Sequence, residues 1–86
     1  MVVKIEEIVY TSKFEHEVKK IKDRSVKIEI EKRIRKILLD PESGKPLGYT
    51  LKGERTVRTT PYRLIYTIDK KKLILLRLEH RKEVYK

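Results

Sequence analysis

The chain has 86 residues, of which 42% are charged and 38% hydrophobic, and its formal net charge is +10. This length predicts a single domain over residues 1–86, and a chain without cysteine has no disulfides and no thiolate metal sites. Because no apolar run approaches the ~20 residues of a membrane span and the start has no signal-peptide pattern, we expect a cytoplasmic protein without a membrane partner.

The positive charge is concentrated in the second half of the chain. Residues 1–43 hold 11 Lys/Arg and 9 Asp/Glu, whereas residues 44–86 hold 12 and 4. The first half therefore has the composition of an ordinary charge-patterned helix surface. The second half has the composition of a surface that binds polyanions, so nucleic acid is the favoured partner.

A strand and two helices are predicted in the first half. The strand covers residues 3–10, and Ser12 and Glu15 then have the spacing of a capping box at the start of a helix. The first helix ends and the second begins within residues 22–25. Pro41 ends the second helix, because the residue before a proline avoids the helical conformation. A short link between two amphipathic helices predicts a helical hairpin.

The second half reads as a loop followed by three strands. Residues 40–53 contain all three glycines and two of the three prolines, and form the main loop. A period of two then predicts strands over 54–59, 62–69 and 72–78, the first two joined tightly through Pro61. The predicted fold is α+β in the order β-α-α-β-β-β. Its sheet is rich in antiparallel pairs, with the helical hairpin on one face and the other face open.

Alternation along each predicted strand assigns side chains to the two faces of the sheet. On the central strand, Tyr62, Leu64, Tyr66 and Ile68 face the core, so Arg63 and Ile65 face outward. The last strand is apolar on both sides. There the same rule assigns three residues to the core (Ile74, Leu76 and Leu78) and three to the open face (Leu73, Leu75 and Arg77).

This pattern gathers four arginines on the open face: Arg58, Arg63, Arg77 and Arg81. Such a cluster binds backbone phosphates and can stabilise extra charge on a phosphate under attack. No set of carboxylates for divalent metal accompanies it, so a two-metal nuclease is disfavoured and no cofactor is expected. A metal-free ribonuclease would use a 2′-hydroxyl as nucleophile and would need a base, cations and an acid. The candidates for these roles are the arginines, His80 and Tyr85.

Other interpretations of these residues stay open at this stage. Arg63 also fits a solvated or salt-bridged strand residue. Arg55 fits a salt bridge to a helix carboxylate, and Tyr85 fits an aromatic that packs the C-terminal tail.

Two segments resemble the RelE/ParE superfamily of toxin–antitoxin toxins, on the RelE side. They are PYRLIY at 61–66 and LEHRKEVY at 78–85, with LKG at 51–53 before the second strand. The resemblance implies the toxin of a type II system, a ribosome-dependent endoribonuclease that cuts mRNA in the A site and leaves a cyclic phosphate. It also implies a RelB-like antitoxin that binds the toxin in a hetero-oligomer, and the ribosome with its mRNA and rRNA as partners.

The resemblance also implies roles by motif position. Arg63 is similar to the arginine that contacts the scissile phosphate, and Arg81 to the one that stabilises the phosphate or the leaving group. Tyr85 resembles the tyrosine that stacks on the base or assists proton removal, and His80 is a second acid/base candidate. Glu54 and Thr56 stand where relatives carry outward lysines. The predicted RNA-binding residues are Lys52, Arg55, Arg58, Arg77 and Lys82.

Two further functions remain as alternatives. One is a ParE-like protein that inhibits DNA gyrase without catalysis, and the other is an inactive RNA-binding homologue.

Overall fold

The computed structural model describes residues 4–46 and 53–80, which form two helices and one five-stranded sheet. In chain order the elements are β1 (Glu7–Tyr10), α1 (Ser12–Lys20), α2 (Arg24–Leu39), β2 (Lys45–Pro46), β3 (Arg55–Thr59), β4 (Tyr62–Asp69) and β5 (Lys72–His80). The strand order is β1-β5-β4-β3-β2, with β1 parallel to β5 and every other pair antiparallel. The α+β class is confirmed. The short strand β2, inside the predicted loop, is an addition.

Both helices pack their apolar stripes on the same face of the sheet. Phe14 of α1 and Ile30, Ile34 and Ile37 of α2 form one buried cluster with residues of β4 and β5. Burial of this stripe from water is the main force that holds the hairpin on the sheet. The predicted helical hairpin on one face is therefore confirmed. Asp23 caps α2 by accepting a bond from the Ser25 amide, within the predicted range.

The start of α1 differs from the predicted capping box. Thr11, not Ser12, is the N-cap, and its Oγ1 accepts a hydrogen bond from the Phe14 amide at 3.2 Å. The same hydroxyl shares its one hydrogen between the carbonyl oxygens of Leu75 and Leu76, which lie 2.8 and 2.9 Å from Oγ1. Thr11 is therefore favoured as the cap because its hydroxyl joins the helix start to β5 as well.

A β-bulge interrupts the pairing of β4 with β5. Ile65 lies opposite Arg77, whereas the next residue, Tyr66, lies opposite Leu75. Leu76 is consequently the extra residue on β5. The Thr11 hydroxyl contacts the carbonyls on both sides of this irregularity. One extra residue shifts the alternation of a strand by one position.

The predicted faces of the first half of β5 are wrong for this reason. Leu73 and Leu75 are fully buried in the core cluster, although strict alternation placed them on the open face. Ile74 and Leu76, predicted for the core, are only partly buried. After the bulge the predicted alternation holds, since Leu78 is buried in the core and Arg77 lies on the other face.

The Tyr66 hydroxyl fixes the turn that follows α2. The ring is fully buried, and the hydroxyl donates to the Pro41 carbonyl at 2.8 Å and accepts from the Gly44 amide at 3.0 Å. A Cβ on Gly44 would lie 2.6 Å from this hydroxyl, so the position excludes any side chain. Arg55, the partner of Tyr66 on β3, donates from Nη1 to the carbonyls of Glu42 and Gly44. Together these bonds place β2 beside β3.

Tyr66→Phe keeps the ring and removes both hydroxyl bonds, which leaves a buried carbonyl and a buried amide unpaired. We expect the free energy of unfolding to fall by about 1–3 kcal/mol. In a domain of this size that lowers the Tm by roughly 4 °C or more. Urea and thermal unfolding followed by circular dichroism measure the change. Tyr10→Phe is the matched control, since Tyr10 is 48% exposed. Equal losses in the two variants would contradict the assigned role.

The same hydroxyl predicts a pH dependence. Burial raises the pKa of Tyr66 above its ordinary value of 10.0, although the Gly44 amide and the charge of Arg55 oppose the rise. A pKa that is higher in the folded state stabilises the fold below the unfolded pKa, and this stability is lost as the pH rises through the folded pKa. The stability difference between wild type and Tyr66→Phe should therefore be constant from neutral pH to about pH 9 and narrow above about pH 10.

Candidate nucleic-acid interface

Two arginines lie opposite each other on the sheet face that the helices leave uncovered. Arg58 of β3 pairs in register with Arg63 of β4. Their neighbours Val57 and Leu64 pack with the helices, so alternation puts both arginines on the other face, as predicted. Arg58 is exposed and Arg63 is partly buried. Neither takes part in an ion pair with another residue of ranges 4–46 and 53–80. This pair is called the arginine pair below.

Arg77 shares this face but is held by two carboxylates. Its Nη2 lies 3.1 Å from Glu54 Oε1 and its Nε lies 3.2 Å from Glu79 Oε2. Burial alone would lower the pKa of Arg77, but the hydrogen bonds and charges of Glu54 and Glu79 outweigh it and raise that pKa above its ordinary value. Arg77 is therefore permanently charged and tied across the sheet. Its predicted RNA-binding role stays a prediction.

Ile65, at the centre of this face, is buried, although the sequence predicted an open face. Ile65 lies between Thr56 on β3 and Arg77 on β5 in the strand register. Its side chain is fully buried, although it lies outside the helix-covered core cluster. The face therefore combines a buried apolar centre with charged groups around it.

His80 lies on the face opposite the arginine pair. It is the last residue of β5, pairs with Tyr62, and has the same alternation as Leu78, which is in the core. Its ring meets the Tyr62 ring edge-on, with the ring centroids 5.0 Å apart. The structure therefore does not bring His80 together with Arg63. The sequence analysis kept His80 as a candidate because a histidine can act as acid or base and because of the family resemblance, and neither ground specifies the face on which its side chain lies.

The remaining predicted site residues divide into two groups. Arg55 does not form the salt bridge to a helix carboxylate considered above, because its described contacts are the backbone carbonyls of Glu42 and Gly44. Arg55 therefore stabilises the turn that follows α2. Its RNA-binding role stays a prediction. The others lie outside the described residues: Lys52, Arg81, Lys82 and Tyr85.

A cleft beside the arginine pair contains residues that the sequence did not single out. Arg33 and Lys36 of α2 line it together with Lys45, and its volume is about 590 Å³. Arg58 and Arg63 line its other side, so it continues the arginine pair around the edge of β3. The sequence signal for Arg33 was its position on the polar side of α2. That signal could not reveal the cleft, because it says nothing of where the helix crosses the sheet.

Within residues 4–46 and 53–80, no group of three or more His, Asp or Glu side chains could hold a metal ion. Neither described helix is long and apolar enough to cross a membrane.

The structure is therefore that of a small basic α+β protein, with a helical hairpin on one face of the sheet and paired arginines on the other. A sequence model of the ParE toxin of the type II toxin–antitoxin system ParDE matches residues 8–85. The chain belongs to this toxin family, within the RelE/ParE superfamily. No curated protein sequence matches it.

Solved structures of type II toxins share this fold. The toxin–antitoxin complex RelBE2 of Mycobacterium tuberculosis has a chain with 28% identity and a TM-score of 0.72, covering 87% of this chain and 96% of that one. The YoeB/ParE toxin of Agrobacterium tumefaciens has 19% identity and a TM-score of 0.76, with coverages of 87% and 98%. A chain of the chromosomal ParDE system of P. aeruginosa has 16% identity and a TM-score of 0.68, with coverages of 90% and 96%. Proteins named RelE, YoeB and ParE therefore share this architecture.

Arg77→Gln tests whether Arg77 supports the fold. The change leaves Glu54 and Glu79, whose side chains are 13% and 34% exposed, without their cation. We expect the free energy of unfolding to fall by about 1–3 kcal/mol, as for charged groups that lose hydrogen bonds. Lys32→Gln is the control, since its 3.7 Å pair with Glu29 is solvent-exposed and should contribute less than about 1 kcal/mol. Chemical denaturation measures both. Wild-type stability in Arg77→Gln would refute the structural role.

Proposed function

We propose that this toxin is a metal-independent endoribonuclease that cuts mRNA on the ribosome and so inhibits translation. The observation that carries the proposal is the arginine pair, Arg58 opposite Arg63, on the face of the sheet that the helices leave uncovered. These two cations form no ion pair with another described residue, although Glu79 lies opposite Arg63 in the register of β5. Two such cations suit the phosphates of one RNA strand.

The proposed cleavage requires a base, an acid and cations at the phosphate, and the chain has candidates for each. The 2′-oxygen of one nucleotide attacks the adjacent phosphorus, the bond from phosphorus to the 5′-oxygen breaks, and a 2′,3′-cyclic phosphate remains. A base takes the proton of the 2′-hydroxyl, and an acid supplies one to the leaving 5′-oxygen. Arg63 stabilises the charge that develops on the phosphate oxygens, and Arg58 holds a neighbouring phosphate.

Arg63 is not the base, because an arginine side chain stays protonated. His80 lies across the sheet from the arginine pair, so we assign the proton-transfer role to Tyr85 in preference to His80. Arg81 takes the leaving-group or phosphate role. The assignments of Arg81 and Tyr85 rest on sequence position.

We further propose that a RelB-like antitoxin binds the protein in a cytoplasmic hetero-oligomer. The solved relative of Mycobacterium tuberculosis is a toxin–antitoxin complex. A formal net charge of +10 favours an acidic partner, which would also compete with RNA for the same cations.

Two observations favour the second candidate, a ParE-like inhibitor of DNA gyrase. The matching family model is that of a ParE toxin. In addition, Glu54 and Glu79 surround Arg77 and make the face less cationic than four free arginines would be. An RNA-binding homologue without activity is the third candidate, and it predicts binding without a cut product.

Arg63→Ala should reduce cleavage of a translated message by about 10²-fold or more, because it removes charge stabilisation at the scissile phosphate. In vitro translation followed by primer extension on the message measures the cuts. Arg35→Ala is the control, since Arg35 is an exposed residue of α2 that lines no described part of the cleft. Circular dichroism confirms that both variants fold.

Three results are informative. A-site cuts that disappear only in Arg63→Ala support the nuclease. Uncut message with undisturbed translation, together with inhibited supercoiling by gyrase, replaces it with the ParE-like function. Uncut message with RNA binding and no effect on gyrase indicates the inactive homologue.

A further inference from the structure

We propose that the cleft between α2 and β3 is a second phosphate-binding site, which holds the nucleic-acid strand away from the bond that is cut. This proposal depends on the proposed function in one respect only, which is that the bound strand is RNA. The site consists of Arg33 and Lys36 of α2 and Lys45 of β2, and the arginine pair lines the same cleft.

The described lining of the cleft is positively charged. Of the eight lining residues within 4–46 and 53–80, none is a carboxylate and five are cations: Arg33, Lys36, Lys45, Arg58 and Arg63. None of the five forms an ion pair with a residue of the described ranges. Like charges brought together in a concave site repel one another and concentrate the positive potential, and a bound anion relieves that repulsion. The cleft is thus an anion site by its composition.

Two polar groups in the wall are buried without a partner. The Nε of Arg33 and the Oγ1 of Thr56 have lost contact with water and bond to nothing in the described part of the chain. Buried polar groups are normally paired, and one that is not weakens the fold. Arg33 as a whole is only partly buried, but its Nε is already removed from water, and a guanidinium is more weakly hydrated than an ammonium, so less hydration is lost when it binds a phosphate.

The position of the cleft shows how a strand would reach it. The partner strand β2 pairs only with Arg55 and Thr56, so the outer edge of β3 beyond them has no neighbouring strand in the described residues. Arg58 and Arg63 lie on the sheet face and also line the cleft. A backbone that crosses the arginine pair can therefore continue over this edge towards α2, where the described lining is cationic.

The size of the cleft fits a nucleotide and not only an ion. Its volume of about 590 Å³ lies within the range of roughly 300–1,000 Å³ typical of small-molecule sites. Val57 adds an apolar patch to the lining. We assign a phosphodiester together with part of a nucleoside to the cleft, rather than an isolated phosphate.

The test measures binding of a single-stranded RNA whose riboses are all 2′-O-methylated. This strand cannot be cut by 2′-hydroxyl attack, so a failure of the proposed nuclease activity and a failure of the cleft are separate results. Fluorescence anisotropy over a series of salt concentrations gives the affinity and its salt slope. The cleft variant is Arg33→Gln/Lys36→Gln. The control is Lys27→Gln/Arg35→Gln, which removes the same charge from other sides of α2.

We expect the slope of log K against log salt to become less steep by about 1.4 in the cleft variant, as for the loss of two phosphate contacts on a single strand. The control should keep the wild-type slope. If Arg33→Gln/Lys36→Gln does not fold, Lys36→Gln/Lys45→Gln replaces it, since both lysines are exposed.

Equal losses in the cleft and control variants would overturn the proposal, because the effect would then be one of net charge alone. Unchanged RNA binding by the cleft variant would overturn it as well. Binding of poly-glutamate is measured in the same way. If the cleft variant loses affinity only for poly-glutamate and not for RNA, the cleft binds an acidic protein segment and the phosphate assignment is wrong.

Discussion

The buried hydroxyl of Tyr66 is the constraint on which the arrangement of the polar surface depends. It sits in the middle of β4 and is bonded to the turn after α2 through Pro41 and Gly44. Arg55 holds the same turn from the neighbouring strand. These bonds determine where α2 leaves the sheet and where β2 meets β3. They therefore determine which helix residues stand beside the arginine pair.

The Thr11 hydroxyl likewise fixes the start of α1 on the sheet, at β5. One hydroxyl caps α1 and bonds to the carbonyls of Leu75 and Leu76 at the bulge. The helix start and the change of register in β5 are thus held by a single side chain. The bulge brings Leu73 and Leu75 into the core, and Arg77 remains on the opposite face after it.

Periodicity predicted the order of the elements, the helical hairpin and the placement of the arginine pair, because each depends on local alternation and on burial of one face. It did not predict the bulge, since β5 is apolar on both sides there and either register buries leucines. It also missed the cap at Thr11, whose advantage comes from bonds to residues more than sixty positions away. The pairing of Arg77 with Glu54 and the approach of Arg33 to β3 are tertiary contacts, which the periodicity of the sequence does not reveal.

The two carboxylates on Arg77 bear on how this surface can change over generations. Glu79 alone keeps one bond to the guanidinium, so residue 54 can vary while Arg77 remains anchored. A single codon change there alters the charge of the face by one or two units. Residue 54 is thus a position at which the charge of this face can change in small steps while Arg77 keeps its bond to Glu79.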